Sequence, residues 1–218
     1  SFILKMVICL MIKRIQRFFA YRFYRHKQNN RIISIAKEVN KQAVFEDQKP
    51  VILFNTSTRL IGMSQNASFS LLTNWKLKLS GVPTVHFVCR GAMHPCVLGT
   101  DINSPGNFPP CRKCMHLSDA VYAGQEVVEL TNKNIPLEEI EMLSVDELES
   151  YSYKDFPAGE IVVPSLRWIT RRHHLINDEK TKELFRRYTH TAVSFYEQFS
   201  SAMDEITPQA VVLFNGMF

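Results

Sequence analysis

No carboxylate occurs before Glu38, although the first 37 of the 218 residues carry nine lysines and arginines. The remaining 181 residues hold 17 basic and 21 acidic groups, so the formal charge of +5 is a +9 arm on a −4 body. This asymmetry argues against a nucleic-acid binder over the whole chain and points the arm toward an anionic surface. No G-x-G-x-x-G follows the first β-prone run and no Walker-type loop occurs anywhere. A standard dinucleotide-dependent dehydrogenase or P-loop ATPase is therefore not expected. Long apolar runs are missing too: residues 2–12 are mostly apolar but broken by Lys5, against the ~20 residues that span a bilayer. Neither an internal repeat nor a low-complexity stretch is present. Chain order alone assigns no Ser–His–Asp set and no glycosidase carboxylate pair. What remains, at 45% hydrophobic residues, is an ordinary globular chain able to bury one substantial core.

Residues 1–45 read as a basic amphipathic helical arm. On a helical projection Ile8, Ile12, Ile15, Phe18, Phe19 and Phe23 share one side, and Lys13, Arg14, Arg17, Arg25 and Lys27 the other, with Arg22 misplaced. An apolar face beside a cationic one suits an anionic membrane surface, reached through residues 8–27. Packing on the body, packing on a further domain, or a leader segment are the other readings. No nucleic acid is expected, because no aromatic-basic platform recurs.

Residues 46–218 read as a Rossmann-like α/β domain, an open and mostly parallel sheet with helices on both faces. Strands are expected at 51–54, 82–89, 126–130, 160–163 and 210–214. Helices are expected over 31–45, over 66–79 with Ser80 and Gly81 as its carboxyl cap, over 137–150 after Pro136, and over 177–206 with Asn177 or Asp178 as the cap. Ligands of such sheets bind at the carboxyl ends of the strands. Asn55, Arg59 and Gly62 after the first strand, Arg90 and Gly91 after the second, and Asn215 and Gly216 after the last make that rim the candidate substrate site. Arg59 or Arg90 could hold an anion there, and plain turn chemistry is the alternative for each. A basic cluster of Arg167, Arg171, Arg172, His173 and His174 reads as a solvated helix face.

Four of the five cysteines, Cys89, Cys96, Cys111 and Cys114, fall in a Pro- and Gly-rich loop at 89–116 with the spacing C-x6-C-x14-C-x2-C. A structural zinc site is one reading, with His94 or His116 able to replace a sulfur and with Arg112 and Lys113 favouring thiolates. Buried thiols, a disulfide and an iron–sulfur cluster are the others.

The segments Val-Ile-Leu-Phe-Asn at 51–55, Cys-Arg-Gly at 89–91, Pro-Pro-Cys-Arg-Lys-Cys at 109–114, Pro-Ser-Leu-Arg-Trp at 164–168 and 211–217 together resemble bacterial capsule-polysaccharide glycosyltransferases. The resemblance covers roughly residues 50–218 and is one of pattern and order. It implies the amino-terminal, acceptor-side half of a GT-B enzyme, which moves a sugar from a nucleotide-sugar donor to a glycan or lipid-linked acceptor. The chain would stop before the donor half and be inactive alone. It also implies a cytoplasmic location, at the inner face of the membrane if the arm binds there. His86 and His94 are the candidate catalytic bases. The rival readings are a non-catalytic, metal-stapled binding module and another Rossmann-like enzyme acting on nucleotide-sugars. The latter predicts the dinucleotide fingerprint that is missing.

Overall fold

The computed structural model describes residues 2–45, 47–54, 65–93, 96 and 111–214; within the first helix, side chains are described for 12–16, 18–20, 23, 27 and from Asn30 onward. Helix α1 (Phe2–Gln42) leads to strand β1 (Val51–Phe54), helix α2 (Gln65–Leu79) and strand β2 (Thr84–Cys89). Helix α3 (Cys111–Val121) and strand β3 (Glu126–Leu130) follow, then helices α4 (Val145–Glu149), α5 (Ala158–Thr170) and α6 (Glu179–Ile206), and strand β4 (Ala210–Leu213).

All four strands are parallel, in the order β3-β2-β1-β4. The α/β expectation is thereby met. Val51, at the start of β1, pairs with Thr84 on one side and Ala210 on the other. Alternation across the pleat separates two cores. Ile52, Phe54, Val85, Phe87 and Leu130 face α6, where Phe195, Phe199 and Met203 close over them. Val88 and Val127 face the opposite side, against Ala67 and Leu71 of α2, Leu117 and Val121 of α3, and Ile32 of α1. The ring of Phe54 stacks on Phe87 at 5.6 Å and meets Phe199 edge-on at 5.2 Å. Burying a ring such as Phe87 stabilises by roughly 2–3 kcal/mol. A third core, Leu148, Val162, Leu166, Phe185 and Tyr188, joins α4 and α5 to the first half of α6. Helix α6 thus belongs to two cores at once.

Local chemistry explains most boundaries. Gly81, at φ +81, ends α2, with Gly81 N–H donating to Lys78 O and Val82 N–H to Leu77 O, both at 3.0 Å. Asp178 caps α6 by accepting from Thr181 N–H at 2.7 Å.

Two expectations are corrected. The helix expected over 137–150 is a 3-10 turn at Glu138–Ile140 followed by the five-residue α4. Ser144 and Glu147 form a capping box that starts a new helix there. The strand expected at 160–163 lies inside α5, whose buried Ala158, Val162, Leu166 and Ile169 recur at helical spacing. Pro164 sits inside that helix without ending it. Gly159 lets α5 start against α4, since a Cβ there would lie 2.1 Å from the carbonyl oxygen of Leu148.

Candidate functional site

Chain direction sets where a ligand can enter. From β1 the chain moves outward to β2 and β3, then returns across the sheet to place β4 on the other side of β1. The order therefore reverses between β1 and β4, and in open α/β sheets the crevice at the carboxyl ends of such a strand pair is the ligand site. Phe54 ends β1 and Phe214 follows β4 at this point. The ring of Phe214 meets Phe69 of α2 at 5.4 Å, and the two rings are 36% and 40% exposed. This half-exposed aromatic pair was not foreseen; the signal was a phenylalanine in the first turns of the helix that follows a strand-end loop. Asn55, Arg59 and Gly62, which follow β1 in sequence, and Asn215 and Gly216, which follow Phe214, lie outside the described residues. So does His94.

Next to the crevice, Arg90 and Gly91 leave β2. The Arg90 N–H donates to Leu130 O at 2.7 Å, extending the ladder to β3. Its guanidinium pairs with Asp119 of α3 and, at 2.7 Å, with Glu129 of β3. Two carboxylates thus neutralise the arginine expected to receive an anion, and it clamps α3 to the sheet instead. Gly91 has φ +75, a left-handed conformation in which a side chain would be strained. Farther along the rim, the buried Gln198 of α6 grips the chain leaving β3. It donates to Thr131 O at 2.9 Å and accepts from Thr131 N–H at 3.1 Å.

His86 lies in mid-strand, paired in register with Leu53 and Val127. It is fully enclosed, with its ring 4.3 Å from that of Tyr122. Burial first, and the nearby Lys78 cation second, lower its pKa to about 3, so the imidazole is neutral at physiological pH. A side chain with no path to solvent cannot meet an acceptor hydroxyl, and His86 is a core residue.

The cysteines sit over the carboxyl end of β2. Cys111 and Cys114 occupy the first turn of α3, so the helix begins within the stretch expected to be loop. Cys89 packs with the core beneath α6, and Cys114 with the core beneath α2 and α3. The thiols therefore approach one another from opposite sheet faces. Burial, then the neighbouring Cys96, Cys89 and Cys114, push the Cys111 thiol above its ordinary pKa. This is the reverse of the activation expected from Arg112 and Lys113, which are exposed. Among the described residues, no three His, Cys, Asp or Glu side chains stand at metal-ligand spacing. The zinc donors are thus right in kind without being assembled.

The basic cluster divides: Arg167 lies half-buried within α5, while Arg171, Arg172, His173 and His174 are exposed after the helix, so they do not form the solvated helix face expected. At the other end of the sheet, the amino ends of the strands are closed by polar side chains. The Lys78 ammonium donates to Asn40 Oδ1 at 3.0 Å and to Gln125 Oε1. Thr84 donates to Asn74 Oδ1 at 2.6 Å, and Asn40 donates to Gly124 O at 3.2 Å. Burial lowers the Lys78 pKa, and Glu126 offsets part of that shift.

No family model, curated protein or solved structure matches this chain.

Proposed function

We propose that this chain is the acceptor-side, Rossmann-like half of a glycosyltransferase, taking a glycan or lipid-linked acceptor in the crevice between β1 and β4. The observation that carries the reading is the strand-order reversal at that point, with the exposed Phe69–Phe214 pair on its lip. A sugar presents a face of C–H groups that packs on an aromatic ring, while its hydroxyls need polar partners. Asn55, Arg59, Asn215 and Gly216 follow the two strand ends in sequence and are the groups that would supply such partners. The nucleotide-sugar donor would be held by a second domain. The chemistry asked of the acceptor side is removal of one hydroxyl proton as the sugar transfers. The base would be His94, which follows β2 in sequence, since His86 is enclosed and residues 55–64 and 215–218 hold no carboxylate or imidazole side chain.

The test is an NMR titration of the whole chain with neutral and anionic oligosaccharides and, separately, with nucleotide-sugars. Oligosaccharides are expected to move the amide signals of Phe54, Gly91 and Phe214. Shifts confined to Gly81 and Gln125, at the opposite end of the sheet, would overturn the reading; so would silence from every sugar.

The same reading gives the four cysteines a structural part. Zinc held by four sulfurs has no open position and ties a loop without entering the reaction. About one zinc per chain, lost in Cys111→Ser and in Cys114→Ser, is the result expected of a staple. Near-zero metal in the purified wild type removes the staple and leaves four neighbouring thiols.

A further inference from the structure

We propose that the stretch of α1 from Ile12 to Asn30 is a docking surface for an anionic lipid bilayer, on which it lies flat. Among the described side chains, helix α1 is seated on the body by its last turns. Ala36 and Val39 are buried, Ile32 packs against the core beneath α2 and α3, and Asn40 joins the polar network. Every described side chain from Ile12 to Asn30 is exposed. A helix rises ~1.5 Å per residue, so this stretch extends roughly 27 Å. Along it stand Ile12, Ile15, Phe18, Phe19 and Phe23, exposed by 49%, 52%, 58%, 63% and 72%. Large side chains so open to water, and contiguous at helical spacing, mark an interaction surface. At ~100° per residue Ile12, Phe19 and Phe23 lie more than about a third of a turn, and Ile15 about a quarter of a turn, from the mean direction of Ile32, Ala36 and Val39. Phe18 shares the azimuth of Ala36 but stands about five turns away along the axis. The seat on the body therefore does not cover them.

Charge selects the partner. Lys13, Arg14 and Lys27 are exposed on the same stretch, and the first 37 residues carry nine basic groups without one acid. A second copy of the arm would bring like charges together, and the apolar face alone would not select anions. A bilayer with anionic headgroups satisfies both, taking the Ile and Phe side chains into the acyl boundary and the cations at headgroup level. Spanning is not required of it, since no helix among the described residues is long and apolar enough to cross a membrane. This inference is independent of glycosyl transfer.

The experiment is co-sedimentation of the full chain with phosphatidylcholine vesicles, with and without about a third phosphatidylglycerol. Two variants accompany the wild type: Ile15→Ser/Phe19→Ser/Phe23→Ser and Lys13→Gln/Arg14→Gln. Unchanged thermal unfolding is the control, because these positions lie outside the cores. Wild type is expected on the anionic vesicles, at least tenfold more weakly on neutral ones, and progressively released by salt. The apolar variant is expected to lose at least tenfold. The charge variant is expected to lose several-fold per cation removed. Equal binding by wild type and the apolar variant overturns the proposal. It is likewise overturned if, without lipid, wild type self-associates while the apolar variant is monomeric, or if single-stranded nucleic acid outcompetes the vesicles.

Discussion

The two ends of the sheet differ in what they leave open to water. At the amino ends, Asn40, Asn74, Lys78, Thr84 and Gln125 come from α1, α2, β2 and the turn before β3, and they satisfy one another. At the carboxyl ends, Arg90 and Gln198 are also paired within the protein, and what is left half in water is the pair Phe69 and Phe214. A buried polar group must find its partners within the protein, whereas one at an open rim can keep them for a ligand. Lysine at one end is thus a fastener, and phenylalanine at the other is the candidate contact. Position in the topology assigns the role, and residue type does not.

The core between the two ends should show itself first and most strongly in acid. The His86 pKa falls to about 3 in the fold, against an ordinary unfolded value near 6.5. Above about pH 6.5 neither state takes the proton, and the full stability is present. Below it the unfolded chain takes the proton and the folded chain refuses, so stability falls by about 1.4 kcal/mol per pH unit until about pH 3. Urea unfolding should show wild type roughly 2–3 kcal/mol weaker at pH 4.5 than at pH 7.5. His86→Leu should flatten that slope. An equal slope in the variant would assign acid lability elsewhere and remove His86 as its source.

A smaller effect, opposite in its pH range, is expected at Lys78. Its pKa is lowered by burial, so the folded state sheds its proton before the unfolded state does. Wild type then gains stability as pH climbs toward 10.5. Lys78→Met leaves acceptors on Asn40 and Gln125 with fewer donors, at a cost of about 1–2 kcal/mol near neutrality. Because the variant lacks the alkaline gain, its deficit should widen from pH 7 to pH 10 in chemical unfolding. A deficit that stays constant would show that the ammonium is solvated and the amino end more open than its hydrogen bonds imply.

Much of the scaffold was legible because it rests on local rules. Short β-branched runs bounded by Pro50, Asn55 or Gly81 became β1 and β2, and the breaker at 207–208 separated α6 from β4. Helix α5 was misread because Ile161, Val162 and Val163 form a β-prone triplet beside a proline. The burial period that overrides it spans twelve residues, from Ala158 to Ile169. The site was legible only as a list of strand ends. Its location needed the strand order, which local pattern does not carry. Arg90 looked available because Asp119 and Glu129 lie 29 and 39 residues away. Gly124 and Gln125, which bond to Asn40, lie farther still, 84 and 85 residues away. Long-range pairing of this kind follows from the fold and leaves no periodic trace.

The smallest stability change belongs to the open end, and there stability and binding should separate. Phe214→Ala removes one edge-on contact between rings that are already 36% and 40% exposed. A fully packed aromatic pair contributes about 0.5–1.5 kcal/mol beyond burial. A half-solvated pair at the end of an edge strand should contribute less, within about 1 kcal/mol, and Phe69→Ala should behave alike. Phe87→Ala, in the core beneath α6, should by contrast cost about 3–5 kcal/mol. If the crevice takes a sugar on the Phe69–Phe214 lip, each rim variant should weaken oligosaccharide binding about five- to tenfold while unfolding like wild type. Calorimetric titration beside thermal unfolding reads both quantities on the same protein. Loss of stability without loss of binding would make the pair a fastener like Lys78, and the two ends of the sheet would no longer differ in kind.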